Sequence, residues 1–285
     1  MKTLPEDERR RPALDEARLN GALPDSPRLW RGIRVVQQTG STNADLLAQA
    51  RSGAPQGLVL VADEQTAGRG RLGRQWISPP RASLTFSVLL RPGGVPSEML
   101  GWVPLLAGVA VASALRETAA LDARLKWPND VLVRGGKLAG ILAESWGDAI
   151  VVGAGLNVWQ RADELPVPTA TSVFLAAPEF PAAAESPEAA DLPGRERLLV
   201  AVLGHLAHRY RAWLGQERPG DADACGLRQE YQRCCATVGK EVTVTLPGGR
   251  SVTGTAVDVD AAGRLEVRTG SGLVPVSAGD VAHLR

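Results

Sequence analysis

Three arginines, Arg69, Arg71 and Arg74, are interleaved with three glycines, Gly68, Gly70 and Gly73, just after the apolar run 58–62. Glycine lets a backbone approach a ligand closely, and the guanidinium fork bonds phosphate or carboxylate oxygens in pairs. The segment is therefore suited to wrapping an anion. A polar loop this rich in glycine loses much conformational freedom on ordering, so it is expected to be mobile when empty and ordered by its ligand. The spacing Gly68-x-Gly70-x-x-Gly73 also matches the dinucleotide fingerprint. However, Trp76-Ile77-Ser78-Pro79-Pro80 follows where a helix would have to open, and no acidic residue ends the next apolar run. A nicotinamide site is not expected, and a solvated basic turn is the plain alternative.

Two further segments carry complementary groups. Lys126-Trp127-Pro128-Asn129-Asp130 is followed, after Arg134-Gly135-Gly136, by Lys137-Leu138-Ala139-Gly140-Ile141-Leu142. An Asp beside an Asn at a strand end suits a hydrated Mg²⁺, and a lysine just past a glycine turn can set a point charge on a phosphate. Taken alone, Lys137 reads equally as an ordinary solvated lysine on a hairpin. Gly136-Lys137 is not a Walker loop, since no serine or threonine follows. Trp127 is expected in the core, because a strand tryptophan usually buries.

Holding these groups takes a sheet. Segments 83–90, 131–133, 137–145 and 149–158 read as strands, and their short links favour antiparallel pairing. Ser41 reads as an N-cap for a helix over 42–51 that stops near Gly53. Further helices are expected at 104–120 and 195–214. In the second of these, Leu198, Leu199, Val202, Leu203, Leu206, Tyr210 and Trp213 recur at helical spacing as a core stripe. His205 and His208 share that helix without an acidic third ligand, so they are not assigned a metal. Beyond Ala236, strands at 242–246, 252–259, 265–269 and 273–276 form a small barrel.

The fold class is thus α+β: a mixed, largely antiparallel sheet with packed helices, plus a small C-terminal β-barrel. Residues 1–30 read as an N-terminal extension with a short helix near 14–19, 31–235 as the catalytic domain and 236–285 as the barrel. The Ala, Pro and Glu-rich stretch 176–194 reads as an insertion loop with little order.

With 32 basic and 31 acidic residues, the net charge of +1 argues against a general nucleic-acid or membrane field. Three cysteines, Cys225, Cys234 and Cys235, make no even disulfide set, which fits a reducing cytosol. The N-terminus has no apolar signal, and the uncharged run 99–115 reads as a buried helix rather than a membrane span.

The loop, the Lys-Trp-Pro-Asn-Asp run and the Gly-Lys-Leu-Ala-Gly-Ile-Leu run follow Ser41-Thr42-Asn43 and precede Gly153-Ala154-Gly155-Leu156-Asn157. In this order and spacing the chain resembles bacterial biotin protein ligases of the monofunctional type, without a DNA-binding domain. The likeness is strong over 34–160 and general over the C-terminal strands. It implies a class II synthetase-like catalytic domain and an SH3-like barrel. It also implies an enzyme that uses ATP and Mg²⁺ to form biotinyl-5'-AMP, then biotinylates a lysine of the biotin carboxyl carrier domain of an acyl-CoA carboxylase. Biotin, ATP and that domain are the expected partners of a cytoplasmic monomer or weak homodimer, with no DNA and no membrane.

By the same resemblance, biotin is bound by Ser41, Thr42, Asn43, Gln65, Gly68, Arg69, Gly70, Arg71, Lys137, Gly140, Gly153 and Gly155. ATP is bound by Arg69, Arg71, Arg74, Trp76, Asn129, Asp130, Lys137 and Asn157. The catalytic set is Lys137, bridging the biotin carboxylate and the α-phosphate, with Arg69 and Arg71 as clamps. Asp130 either ligates Mg²⁺ or acts as base in the transfer step. At Gly68, Gly140, Gly153 and Gly155, a backbone requirement and ligand contact explain glycine equally well. A lipoate or octanoate ligase shares the fold and chemistry, though Ser41-Thr42 and the triple-arginine loop favour biotin. A biotin sensor without catalysis is the other alternative, and Lys137 counts against it.

Overall fold

The computed structural model describes residues 11–23, 29–177 and 194–284. Seven strands form the main sheet: β1 (Gly32–Thr39), β2 (Leu58–Gln65), β3 (Ser83–Leu90), β4 (Ala123–Lys126), β5 (Asp130–Val133), β6 (Gly136–Trp146) and β7 (Ala149–Asn157), in the order β1-β2-β3-β7-β6-β5-β4. β1 and β2 pair in parallel and every other neighbour pairs antiparallel, so the sheet is mixed. The parallel pair needs a crossover, supplied by the helix α2 (Thr42–Arg51), which follows the short N-terminal helix α1 (Glu16–Gly21). Ser41 caps α2 by accepting from the Ala44 amide, and Gly53, at φ +83°, ends it in the left-handed region that glycine tolerates.

The two faces of the sheet are covered differently. Leu84, Phe86, Val88 and Leu90 of β3 pack into the main core with α3 (Trp102–Ala119) and α5 (Gly194–Leu214). The opposite face, with Leu60, Leu89 and Val151, is covered by Leu46, Leu47 and Ala50 of α2. α3 begins two residues before the expected start, because Pro104 falls in its first turn, where a missing N–H costs no helical bond. The stretch Ser97–Ala119 has the length and hydropathy of a membrane span, but 72% of it is buried inside the protein, as the sequence led us to expect of a core helix. The α5 stripe from Leu198 to Trp213 is buried as expected.

A short helix, α4 (Val173–Ala176), precedes α5, and α6 (Leu227–Cys234), absent from the sequence reading, follows it. Most of the expected loop at 176–194 lies outside the described residues. The chain then forms a five-stranded antiparallel sheet from β8 (Glu241–Thr245), β9 (Ser251–Val259), β10 (Leu265–Thr269), β11 (Gly272–Val276) and β12 (Asp280–His283), in the order β11-β10-β9-β8-β12, which fits an SH3-like barrel. β12 and β1 were not anticipated. Both are short of aliphatic alternation, with His283 and Asp280 in one and Arg34, Gln37 and Gln38 in the other.

The described N-terminal residues belong to the main body rather than trailing from it. Leu14 and Leu19 are part of the main core, and Arg11 bonds Glu164 at 2.5 Å. The short helix lies two residues later than expected, because Asp15 caps it. Asn20 and Glu16 bond the free peptide edge of β1 at Ile33 and Val35.

Candidate active site

A cavity of about 330 Å³ opens on the α2 face of the main sheet. Residues opposite one another in an antiparallel ladder share a face. The pairs Ser87↔Gly153, Thr85↔Gly155, Gly155↔Gly140 and Gly140↔Asp130 therefore line one floor. Plain alternation would aim Lys137 away from it. A bulge intervenes: Val131 pairs with Ala139 but Leu132 pairs with Lys137, leaving Leu138 as an extra residue. Leu138 and Ala139 both bury inward, and Lys137 turns to the cavity side. Its ammonium forms an ion pair with Asp130 Oδ1 at 2.7 Å, and among the described residues this buried oxygen has no other partner.

One end of the cavity is neutral and closely bonded. The Thr42 amide and hydroxyl donate to Gln65 Oε1 at 2.8 and 3.0 Å, and Ser87 Oγ lies 2.7 Å from Thr42 Oγ1 and 2.6 Å from Asn43 Oδ1. Asn43 Nδ2 donates to Glu144 at 2.8 Å. With its oxygen taken twice by Thr42, Gln65 is left with its amide N–H groups for other partners.

The other end is charged. Arg69, Arg71, Arg74, Lys126 and Lys137 line it with Asp130 and Asp280, five cations against two carboxylates in a chain whose net charge is only +1. Such a local excess suits a polyphosphate or a carboxylate. Burial holds Lys126 below its ordinary value, opposed by Asp130 and reinforced by Lys137 and Arg74. Burial likewise lowers Arg71, again opposed by Asp130.

The arginine loop is a hairpin. Gly70 N donates to Arg74 O at 2.7 Å, Trp76 N to Gly68 O at 2.9 Å and Arg74 N to Arg71 O at 3.2 Å. Its turn is made at Leu72 and Gly73, with φ of +56° and +74°. Two of the three arginines already have protein partners. Arg71 donates to Asn129 Oδ1 at 3.0 Å and to Gly279 O at 3.2 Å, and Arg74 forms an ion pair with Asp280 of β12. The side chain of Arg69 alone among the three has no hydrogen bond or ion pair among the described residues. The hairpin separates the inner cavity from an outer one of about 1000 Å³, and Gly68 lines only the outer one.

Of the residues singled out from the sequence, Ser41, Thr42, Asn43, Gln65, Arg69, Gly70, Arg71, Arg74, Trp76, Asn129, Asp130, Lys137, Gly140, Gly153 and Gly155 meet in the inner cavity. Asn157 does not. It is buried at the end of β7, donating to Thr171 O at 3.0 Å and accepting from Gln160 at 3.2 Å. The glycines make room for protein atoms. A Cβ at Gly155 would lie 2.5 Å from the Trp76 ring, one at Gly140 3.3 Å from it, one at Gly68 2.4 Å from Trp76 O, and one at Gly153 2.1 Å from Asn43 Oδ1. Trp76 thus lies across the cavity floor, and its buried Nε1 has no partner among the described residues. Trp127 is buried as expected, donating to Gly263 O at 3.1 Å.

Sequence reasoning missed Ser87, Lys126 and Asp280. Lys126 stood inside a quoted run, and Ser87 was a polar break in an apolar strand, but Asp280 gave no local signal.

Residues 35–157 match the biotin/lipoate A/B protein ligase family, and residues 237–284 match the biotin protein ligase C-terminal domain. Over 282 residues, 98% of each chain, the sequence is 44% identical to biotin--[acetyl-CoA-carboxylase] ligase of Mycobacterium tuberculosis. The chain belongs to the biotin protein ligase family. Its similarity to other biotin protein ligases is partial in some cases. Bifunctional ligase/repressor BirA of Bacillus subtilis is 38% identical over 46% of this chain and 41% of its own. The fold matches the biotin protein ligase of Aquifex aeolicus solved in complex with biotin and ATP, with a TM-score of 0.71 and 28% identity over 90% of this chain and 100% of that one.

Among the described residues, no group of three or more His, Cys, Asp and Glu side chains gathers as a metal site. Asp130 and Asn129 instead fit a Mg²⁺ that arrives on phosphates, which needs only one or two protein oxygens, and the otherwise unpartnered Asp130 Oδ1 is one.

Proposed function

We propose that the chain is an ATP-dependent biotin protein ligase that activates biotin to biotinyl-5'-AMP and transfers the biotinyl group to a lysine of the biotin carrier domain of an acyl-CoA carboxylase. The observation that carries this reading is the polarity of the inner cavity. A neutral hydrogen-bonding slot suits the ureido ring, and a strongly cationic end lies where carboxylate and phosphates must meet.

In the first step a biotin carboxylate oxygen attacks the α-phosphorus. The new O–P bond forms as the bond to the β-phosphate breaks, and pyrophosphate leaves. Two anions must be brought together, so catalysis is mostly positioning and charge stabilisation. Lys137 bridges the two reacting groups, and Asp130 keeps its ammonium in place before substrates arrive. Arg69, whose side chain has no hydrogen bond or ion pair among the described residues, clamps the ligand, while Arg71 is held in position by Asn129. Asp130, beside Asn129, would hold Mg²⁺ when ATP is bound, and the ion would neutralise part of the phosphate charge.

In the second step a neutral lysine amine attacks the acyl carbon. The C–N bond forms, the C–O bond to phosphate breaks and AMP leaves. The amine proton goes to Asp130, the one carboxylate of the charged end not paired to the loop.

Incubation with biotin, MgATP and a biotin carrier domain tests the reading. One biotinyl group per carrier domain by mass spectrometry, with biotin-dependent pyrophosphate exchange, is expected. Exchange driven by lipoate or octanoate but not biotin would reassign the substrate, and exchange with none of these acids would remove the ligase reading.

A further inference from the structure

The arginine loop is tied to the C-terminal sheet at two points. Arg74 pairs with the Asp280 carboxylate, and Arg71 donates to the carbonyl of Gly279 at 3.2 Å. The acceptors are held rigidly. Asp280 pairs with Thr245 of β8, and a Cβ on Gly279 would come within 2.7 Å of Val244 and 2.9 Å of Thr245 O, so this turn has no slack. A carboxylate is thus fixed on a strand edge across the mouth of the cavity from a hairpin whose other end leads into the cavity floor through Trp76.

The pair is half in water, with the Arg74 and Asp280 side chains 56% and 41% exposed. An ion pair in that setting is weak and reversible, whereas a buried one resists separation. Weakness suits a contact that must break whenever substrate enters or the acceptor lysine approaches. Arg69, lacking such a tie, is the arginine left for the ligand.

Building on the ligase reading, we infer that Asp280 is a positioning residue that latches the Gly68–Trp76 hairpin shut over the charged end of the cavity through Arg74. Arg74 is then a latch, not a phosphate-binding arginine. This replaces the role that the family resemblance gave it. The latch retains the activated intermediate between the two chemical steps.

A double-mutant cycle on the full chain tests this with Arg74→Ala, Asp280→Ala and the two combined, each checked for an unchanged melting temperature. The readouts are release of free biotinyl-AMP, the KM for ATP and tryptic cleavage after Arg69 and Arg71. Each single variant should raise release and cleavage by roughly two- to fivefold, the range of an exposed pair, and the double variant should do no more than either. The KM for ATP should be unchanged in Asp280→Ala, and the reversed pair, Arg74→Asp with Asp280→Arg, should restore retention. Multiplying effects in the double variant, an Asp280→Ala indistinguishable from the parent, or a tenfold rise in the KM for ATP confined to Arg74→Ala would overturn the latch. If a variant melts early, Asp280→Asn, which keeps shape and loses charge, decides on the same readouts. Should the parent lack biotin-dependent exchange, the ligase reading fails separately, and tryptic cleavage of the ligand-free parent against Asp280→Ala still decides the latch.

Discussion

The two ends of the inner cavity are built on opposite principles. At the neutral end Ser41, Thr42, Asn43 and Ser87 are all at most 4% exposed and sit on a helix start and a central strand, where Ser87 bonds both Thr42 and Asn43. At the charged end the arginines ride on a hairpin, and Arg74 is more than half exposed. Neutral groups that satisfy each other can be buried at little cost, whereas like charges need water, counter-ions or a ligand nearby. The neutral end is therefore fixed before ligand arrives and selects by shape. The charged end, with Arg74 more than half exposed, is left for the ligand to complete.

Substitutions at the two ends should fail differently. Lys137→Ala is expected to lower pyrophosphate exchange by at least about 10²-fold, the scale of losing one preorganised charge at a transition state, while melting as the parent does. Near-parental exchange would take Lys137 out of the reaction. Arg69→Gly removes a side chain that has no hydrogen bond or ion pair among the described residues. Losing a charge-assisted bond to the ligand, worth about 1.5–3 kcal/mol, should raise escape of free biotinyl-AMP by roughly tenfold to a hundredfold with the fold intact. Chromatography of the released adenylate checks it, and parental retention would end the clamp assignment.

At the neutral end Ser87→Ala should act on binding alone. It costs Thr42 and Asn43 one shared hydroxyl, about 1 kcal/mol, seen as a roughly fivefold higher KM for biotin at constant kcat. A fall in kcat instead would mean that the two ends are coupled.

The smallest effect should come from pH. Burial, with Lys126 and Lys240 nearby, holds His283 of β12 below its ordinary 6.5. Its stabilising contribution is thus complete above pH 6.5 and is lost as pH falls through the lowered value, when the half-buried ring must take a proton. Melting temperature should dip slightly in that window, and His283→Gln should flatten the dip. Pyrophosphate exchange by the neutral-end variant Ser87→Ala should follow the same pH curve as the parent.

The sequence alone determined the pieces that depend on local order. The Ser41 cap and its helix, the α5 stripe and four of the five strands of the C-terminal sheet were legible because 3.6- and 2-residue periods and capping chemistry are local properties. The motif runs likewise named most of the cavity lining. What it left open depended on contacts across the chain. Lys137 faces Asp130 because one extra residue at Leu138 reverses the alternation, and a period-2 reading cannot see a single-residue bulge that only the pairing with β5 defines. The Asn157 amide was absorbed by Gln160 and Thr171, whose positions follow from how the loop after β7 folds back. Arg74 lies on the hairpin and Asp280 in the C-terminal sheet, and no spacing in sequence links them. Their attraction exists only once β12 has been laid against β8 and set across the cavity from the hairpin.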